Sequence, residues 1–192
     1  KGELHLGLGR GTAKYEYDAF GEVVRQRALS SVDALGNPLW ADTYSYFDER
    51  GQRVAQIDAE GYLTEWQYDA AGNQVRQVEY AKRAAAGWSA AGYVKPQAGD
   101  ADSGFDRTMA YGYDLANRKI SETRVGAHFS QVAGATSVVD ATGDVTTAFG
   151  YDALGNLVST TDAGGAASLV YYDVHGRSGA VAAPARQSTA PS

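Results

Sequence analysis

Large apolar and polar residues alternate with a period of two along much of this chain. In segment 62–68 one side carries Tyr62, Thr64, Trp66 and Tyr68. Leu63, Glu65 and Gln67 fall on the other side. Alternation over about four to eight residues is typical of half-buried antiparallel strands. Similar alternation recurs at intervals along the chain, so the pattern predicts a series of short strands.

A short motif comes directly after these strand segments: an aromatic residue, Asp, two variable residues and a turn-forming residue. The aromatic residues of its six copies are Tyr17, Phe47, Tyr68, Tyr113, Tyr151 and Tyr172. The Asp and turn-forming pairs are Asp18 and Gly21, Asp48 and Gly51, Asp69 and Gly72, Asp114 and Asn117, Asp152 and Gly155, and Asp173 and Gly176. Asp at the start of a turn accepts hydrogen bonds from N–H groups two or three residues on, and Gly supplies positive φ. Each copy is therefore predicted to close a β-hairpin.

A weaker Asp-x-x-Gly motif lies between the strong ones and divides the repeat in two. Asp58 stands 10 residues after Asp48 and 11 before Asp69. Asp162 divides the interval from Asp152 to Asp173 in the same way. The full period is 21 residues in both places. Self-similarity at a fixed period predicts a repeat architecture.

The predicted fold is all-β: a continuous ribbon of antiparallel β-hairpins built from repeats of about 21 residues. The repeat region covers residues 1–177, and two irregular insertions at about 81–107 and 121–139 interrupt it. The first insertion is rich in Ala and Gly and predicts a loop with helical turns near 81–86. Residues 178–192, rich in Ala, Pro and Ser, predict a flexible tail.

Composition and charge narrow the range of functions. The net charge of −6 and the absence of a Lys/Arg cluster argue against nucleic acid as a partner. The chain has no cysteine, which excludes disulfides, cysteine-ligated zinc and a cysteine nucleophile. No apolar run reaches the ~18–20 residues of a membrane span. The sequence starts without Met and ends without a closing element, so we expect it to be a piece of a longer protein.

The motif Tyr-Asp-x-x-Gly followed by Asn or Arg, spaced by about 21 residues, resembles the YD repeats of Rhs proteins. Related repeats occur in the B and C subunits of insecticidal Tc toxins and in animal teneurins. Residues 151–158 are nearly a consensus copy, and the copies at Tyr68 and Tyr172 are close to it. The resemblance covers roughly residues 12–177, with a weak fit across the two insertions.

This resemblance implies an architectural role. In that family, strips of β-hairpins curl into a hollow shell that encloses a C-terminal toxic domain until delivery. The implied partners are neighbouring repeats of the parent chain and an enclosed toxin domain. The implied location is secreted or at the bacterial cell surface. The chain has no Asp-Pro dipeptide and no cleavage segment of the kind that comes after such repeats. We therefore expect the chain to be part of the repeat wall, without the protease or the toxin.

The sequence gives less support to a specific phosphate, metal or catalytic site than to a structural role. Residues 7–12, Gly-Leu-Gly-Arg-Gly-Thr, lack the third glycine of a phosphate loop, and a strand comes next where a helix is needed. Each Asp-x-x-Gly turn offers one carboxylate, whereas Ca²⁺ takes six to eight oxygens. Only the acidic segment 100–106 is worth testing for calcium. Three scattered histidines and no nucleophile–base pair predict no metal centre, no cofactor and no enzyme.

The aromatic side chains leave a second functional hypothesis open. Trp66 and Trp88 could stack on sugar rings, which would make the chain an adhesion or carbohydrate-binding module. The alternative is that the alternating aromatic residues pack together on a buried face. Trp88, within the irregular insertion, is expected to be the more exposed of the two.

The fragment itself is expected to be marginally stable or to associate with itself. A single strip of hairpins leaves one sheet face and two outer edges without partners. A sharp two-state melt of a clean monomer would contradict this expectation.

Overall fold

The structure, a computed structural model, describes residues 13–85, 87–96, 103–133 and 137–182. Nearly all of these residues lie in antiparallel strands or in the tight turns that join them. The one helical element described is a single 3₁₀ turn at Ser103–Phe105. The all-β ribbon of hairpins predicted from the alternation is therefore confirmed. The chain divides into two compact units, Lys1–Arg107 and Thr108–Ser192.

The described residues of the first unit form six strands, each paired antiparallel with the next along the chain. They are β1 (Ala13–Tyr17), β2 (Val23–Val32), β3 (Pro38–Phe47), β4 (Arg53–Ile57), β5 (Tyr62–Tyr68) and β6 (Gln74–Arg83). The short strands β4 and β5 belong to a copy of the repeat with the 21-residue period. Local turn signals alone thus produce a meander in chain order, as expected for strands joined by tight hairpins.

The second unit has the same arrangement with six further strands. They are β7 (Arg107–Tyr113), β8 (Lys119–Ala133), β9 (Ser137–Tyr151), β10 (Leu157–Thr161), β11 (Ala167–Tyr172) and β12 (Ser178–Ala182). Strands β8 and β9, with 15 residues each, are the longest described. Most of β8 and the first residues of β9 lie in the second stretch, 121–139, for which the sequence predicts an irregular insertion.

The two kinds of turn lie at opposite ends of the strands. Every Tyr-Asp motif joins an odd-numbered strand to the next even-numbered one, so within each unit these turns share one end of the sheet. We call this the Tyr-Asp end. The weaker Asp-x-x-Gly turns at Asp58 and Asp162 join even to odd strands at the other end. The division of the repeat into strong and weak halves therefore reflects the two ends of a meander.

Beside every Tyr-Asp turn the pairing register shifts by one residue. Tyr68 pairs with Gln74, whereas Gln67 pairs with Arg76. The weak turns at Asp58 and Asp162 lack this shift, and the strands that they join pair regularly. A β-bulge increases local twist. The bulges therefore add twist to each unit at the Tyr-Asp end.

Two details of the predicted organisation differ from the structure. Strand β6 continues to Arg83, so residues 81–83 are extended and not helical. Pairing with Tyr62 and a hydrogen bond from the Ala84 N–H to the Gly61 carbonyl, 2.9 Å long, hold them there. Residues 178–182, at the start of the predicted tail, form β12 because they pair with β11. Residues 183–192 lie outside the described part of the chain.

A small core lies on one face of the first unit. Ala55, Ile57, Leu63 and Ala84 are buried, with Ile57 and Leu63 almost fully enclosed. Residues 84–96, apart from position 86, fold back over this face, and we call them the clasp. Trp88 and Tyr93 of the clasp, together with Tyr46 and Tyr80 of the sheet, pack around the four buried residues. The first insertion thus covers part of the sheet.

Candidate functional site

The aspartate of each Asp-x-x-Gly turn organises the turn through one carboxylate oxygen. Oδ1 of Asp69 accepts the N–H groups of Ala71 and Asn73, both at 2.9 Å. The sequence predicts donors two or three residues on, whereas the observed donors are two and four residues on. The intervening N–H, that of Gly72, donates instead to the Asp69 carbonyl at 3.1 Å.

The same pair of bonds recurs in the other turns. Oδ1 accepts the N–H groups two and four residues on at Asp18, Asp33, Asp48, Asp58, Asp114, Asp152, Asp162 and Asp173. The chain therefore uses one turn chemistry at both ends of its strands.

The residue after the glycine binds the second carboxylate oxygen in many turns. The side-chain amides of Asn73 and Asn156 donate to Oδ2 of Asp69 and Asp152, each at 2.9 Å. Arg118 and Arg177 hold Asp114 and Asp173 with paired guanidinium bonds. Hydrogen bonds from the Asn side chain and from backbone N–H groups lower the pKa values of Asp69 and Asp152.

The first Tyr-Asp turn departs from this chemistry. Its fifth residue is Glu22, a carboxylate next to the carboxylate of Asp18. A hydrogen bond with Asp18, burial and the negative charges of Asp18 and Asp48 raise the pKa of Glu22. The Glu22 Oε1 lies 2.5 Å from where a Cβ on Gly51 would be. This turn therefore loses the Oδ2 donor that Asn supplies elsewhere.

The fourth turn position needs a left-handed backbone. Gly72 has φ of 91° and Gly155 has φ of 88°. Asn117 occupies the same position with φ of 59°, and it is the one non-glycine residue at positive φ in the described ranges. Asn tolerates this region better than other side chains. The Asn in the fourth copy of the motif is thus compatible with the turn.

The tyrosine of the motif has a role that the sequence pattern did not reveal. The Tyr68 hydroxyl donates to the carbonyl of Arg53 at 3.0 Å. Tyr151 donates to the Lys119 carbonyl at 2.8 Å, and Tyr172 donates to the Leu157 carbonyl at 3.2 Å. In all three cases the acceptor is the first residue of the preceding even-numbered strand. The hydroxyl therefore bonds one Tyr-Asp hairpin to the one before it.

Side chains within or just after one Tyr-Asp turn also reach the next such turn. Arg118 donates to the carbonyl of Asp152 at 3.3 Å and lies over the Tyr151 ring at 4.8 Å. In the first unit, Arg50 donates to the Ala70 carbonyl at 3.2 Å and Gln52 to the Gly72 carbonyl at 3.4 Å. Successive turns at the Tyr-Asp end are thus joined by side-chain bonds as well as by the strands between them.

A polar network fastens the clasp to the sheet. Glu65 of β5 accepts hydrogen bonds from the hydroxyls of Tyr80 and Tyr93, at 2.7 and 2.8 Å, and an ion pair from Lys95 at 3.3 Å. Burial disfavours the charged carboxylate, but the bonds from Tyr80, Tyr93 and Lys95 outweigh burial and lower the pKa of Glu65. Burial and the bond to Glu65 raise the pKa of Tyr93. Glu65 is therefore charged at neutral pH and holds three donors together.

Aromatic packing completes the clasp. The Tyr46 and Tyr93 rings lie 4.6 Å apart at 50°, and the Tyr46 hydroxyl donates to the Ser89 carbonyl at 2.9 Å. Burial raises the pKa of Tyr46 to about 12. The Trp88 ring covers Gly61, at which an added Cβ would come within 2.9 Å of the indole. A side chain at position 61 would displace the tryptophan.

The two tryptophans proposed for glycan contact lie in different surroundings. Both are half-buried. Trp88 packs against the core, contrary to the expectation that it is exposed. It is covered because the insertion folds back onto the sheet. Trp66 lies on β5 and lines an open groove of about 410 Å³ beside Gln52 and Tyr68. The Arg53 guanidinium lies 4.6 Å from the centre of the Trp66 ring. Contact of Trp66 with a glycan stays a prediction.

The other sequence candidates provide no assembled site within the described residues. Residues 7–12 and 100–102 lie outside them. Asp106 accepts the Ala81 N–H at 2.9 Å. His128 contacts Thr142 and His175 sits in a turn, and the described ranges contain no cluster of three potential metal ligands. No helix in those ranges has the length and hydrophobicity needed to cross a membrane.

Comparison with known proteins supports the repeat assignment. The sequence model of the RHS repeat family matches residues 47–85 and 133–167. These segments contain the turns at Asp48, Asp58 and Asp69 in the first unit and at Asp152 and Asp162 in the second. No curated protein matches the sequence.

Several solved structures resemble the chain at low identity. The crystal structure of TcdB2-TccC3-Cdc42 is 19% identical, with a TM-score of 0.40, over 88% of this chain and 9% of that one. The crystal structure of TcdB2-TccC3 is 19% identical, with a TM-score of 0.38, over 84% and 9%. The Photorhabdus luminescens Tc holotoxin pore is 15% identical, with a TM-score of 0.26, over 90% and 12%.

This chain therefore spans 9% of the length of the first two of these structures. The family model falls on two sets of the Asp-x-x-Gly turns, one in each unit. Residues 47–85 and 133–167 of this chain are therefore RHS repeats.

Proposed function

We propose that this chain forms part of the β-sheet wall of a bacterial Rhs-type protein that is secreted or displayed at the cell surface. In this proposal the wall encloses a toxin domain until delivery. The partners of the segment are the neighbouring repeats of the parent chain and that toxin domain. The segment itself contributes structure and no catalysis.

The observation that carries this proposal is the bonding between successive hairpins at the Tyr-Asp end. The Tyr68, Tyr151 and Tyr172 hydroxyls each bind the preceding hairpin. Arg118, in turn, binds the next one. Repeat proteins extend by nearest-neighbour contacts of this kind, so further repeats can be added without a new core. A surface built in this way suits a wall better than a compact catalytic domain.

The test uses the full parent protein with the toxin domain in place. We expect limited proteolysis to leave the repeats and the toxin domain intact, and electron microscopy to show an enclosed space. Opening the wall with Tyr151→Phe and Tyr172→Phe together should make the toxin domain more sensitive to protease. A toxin domain that is digested equally fast with and without the repeats would overturn the proposal.

A glycan-binding measurement on the same parent protein distinguishes an adhesion module from the wall. Such a module would bind glycans without enclosing any domain, and Trp66→Ala would abolish the binding because Trp66 lines the open groove. Trp88→Ala is the matched comparison, since Trp88 packs against the core and its loss should lower stability. Glycan binding that is lost with Trp66→Ala, in a parent protein that encloses nothing, would favour adhesion over the wall.

A further inference from the structure

The β8–β9 hairpin extends beyond both of its neighbours. Strand β7 pairs with β8 only as far as Val125, and β10 pairs with β9 only as far as Ala148. Residues 126–133 and 137–147 continue as a two-stranded ribbon, which we call the arm. Eight residues of extended chain span about 27 Å. The arm therefore projects well past the strands on either side.

The root of the arm is built to bend. The pairing register shifts between Arg124 and Ala127, and Gly126 there has φ of 61°. The Gly126 N–H donates to the Asp144 carboxylate at 2.9 Å. Bulges of this kind bend a strand and redirect the residues beyond the bend. A specific change of direction at the root, fixed by a hydrogen bond, indicates that the arm has a defined position.

The arm is amphipathic and leaves apolar side chains in solvent. One face carries Ala127, Phe129, Val139 and Ala141, with the Phe129 ring against Gly143. The other face is polar near the root and has an exposed valine pair near the tip, Val132 and Val138, at 73% and 70% exposure. An isolated two-stranded hairpin is marginal in water. The arm would therefore gain stability from a further partner.

Charge distinguishes the two free edges of the arm. Residues 126–133 on β8 contain no Asp, Glu, Lys, Arg or Pro. The β9 edge carries Asp140 and Asp144 within residues 137–147. Natural edge strands that must stay unpaired are protected by charges, prolines or covering loops. The β8 edge lacks the first two, and no strand covers it among the described residues.

We propose that the β8 edge of the arm pairs antiparallel with the same edge of a second copy of this chain. The edge is suited to itself, because an uncharged strand brings no like charges together across a two-fold axis. With the axis at Ser130, Phe129 of each copy faces Gln131 of the other. A β9–β9 contact would instead bring aspartates near one another. The partner is therefore a second β8 edge, and the product is a four-stranded sheet.

Residues 126–132 of the arm, which include the axis residue Ser130, lie outside both segments that match the repeat family. Self-association through them is thus separate from the proposed wall, which uses the Tyr-Asp end of the strands. Either proposal can fail without the other. The wall is tested by enclosure of a toxin domain, and the arm by the oligomeric state of the 192-residue chain.

Sedimentation velocity on the 192-residue chain, over a wide range of concentrations, tests the arm. We expect a reversible dimer, and we expect Val132→Lys to raise its dissociation constant by about tenfold or more because each copy gains a charge on the pairing edge. Ser130→Lys should have a larger effect, because it places two lysines opposite each other at the axis. Both sites are exposed, so the monomer should keep its circular dichroism spectrum.

The matched control is Val174→Lys, because Val174 is also exposed and lies at a turn tip that is not adjacent to the arm in the strand order. It should leave the dimer unchanged. A chain that stays monomeric at all concentrations would overturn the proposal. So would association that Val132→Lys and Ser130→Lys do not weaken, or that Val174→Lys weakens as much, since another surface would then be responsible.

Discussion

The Tyr68 hydroxyl donates to the backbone carbonyl of Arg53 at 3.0 Å, across the boundary between two consecutive Tyr-Asp hairpins. The tyrosine ring stands at the end of an alternating strand face, as the sequence pattern predicts. Its hydroxyl adds a bond that no hydrophobic pattern contains. This relationship can be tested by adding and removing single hydroxyl groups.

Removing the hydroxyl should weaken the second unit. Tyr151→Phe leaves the Lys119 carbonyl without its donor, so we expect a loss of about 0.5–1.5 kcal/mol in the free energy of unfolding. Urea denaturation of dilute protein measures it. Tyr171→Phe is the control, because Tyr171 lies on β11 of the same unit and is exposed. Equal effects of the two substitutions would show that the Tyr151 hydroxyl contributes nothing specific.

Adding the hydroxyl should strengthen the first unit. Phe47 occupies the tyrosine position of its motif, and the position equivalent to the acceptor carbonyl is Val23, the first residue of β2. Phe47→Tyr should therefore raise the free energy of unfolding by about 0.5–1.5 kcal/mol. Urea denaturation with an unchanged m-value measures the gain. No gain would mean that the bulge at Phe47 places the ring differently from Tyr68.

Replacing two equivalent turn glycines by alanine should lower the free energy of unfolding by different amounts, because the clasp covers only one of them. Gly61→Ala should lose about 1–2 kcal/mol to backbone strain at positive φ, and more because the new Cβ displaces Trp88. Gly165 occupies the same turn position in the second unit with φ of 82°, and no atom lies within 4 Å of where its Cβ would be. Gly165→Ala should therefore show the backbone cost alone. Urea denaturation followed by circular dichroism measures both. Equal costs would show that Trp88 does not press on this turn.

The Asn-capped turns should make stability depend on pH in acid. The pKa values of Asp69 and Asp152 are lowered from 3.8 in the folded chain, chiefly by Asn73 and Asn156. A carboxylate with a depressed folded pKa stabilises the fold above its unfolded pKa, and this contribution is lost as the pH falls through the folded value.

Replacing both asparagines by alanine should therefore lower the melting temperature more at neutral pH than in strong acid, where the aspartates are protonated in both proteins. Thermal melts of the two proteins from neutral to acid pH measure the difference. A gap in melting temperature that does not change with pH would contradict a role for these hydrogen bonds in holding the carboxylates charged.

The turn at Asp18 should be improved by restoring the residue found elsewhere. Glu22→Asn removes a carboxylate whose pKa is raised by Asp18 and supplies an amide for the Asp18 Oδ2. The raised pKa means that charged Glu22 opposes folding as the pH rises above its unfolded value of 4.5. The melting temperature at neutral pH should rise by about 2 °C. Glu22→Gln is the control, which removes the charge with a longer side chain, and no rise in either variant would contradict the repulsion.

The sequence predicts the turns well because their interactions are local. Asp, the two N–H donors and the glycine of each turn lie within five residues, and the 21-residue period places them along the chain. The hydroxyl bonds are not predictable in the same way. Tyr151 and the Lys119 carbonyl are 32 residues apart, and their contact depends on which strands become neighbours.

The insertions were hard to predict for a similar reason. The sequence predicts that Trp88 is exposed, because it lies in an Ala/Gly-rich loop. It is half-buried because the chain folds back over the core that contains Leu63. Tyr93 reaches Glu65 across 28 residues through a segment with no periodicity. In the second stretch, 121–139, Ser, Gln and Gly among the valines weaken the alternation, yet residues 121–133 and 137–139 lie in paired strands.

The bond from a tyrosine to the previous hairpin has an evolutionary consequence. The copies that contain Tyr68, Tyr151 and Tyr172 each carry their own bond to the hairpin before them, so a gene duplication that adds such a copy adds the matching bond as well. Growth or loss of whole copies then changes the length of the sheet while every remaining junction keeps the same chemistry. A lineage of such proteins could adjust its dimensions by recombination between copies, without waiting for compensating substitutions elsewhere.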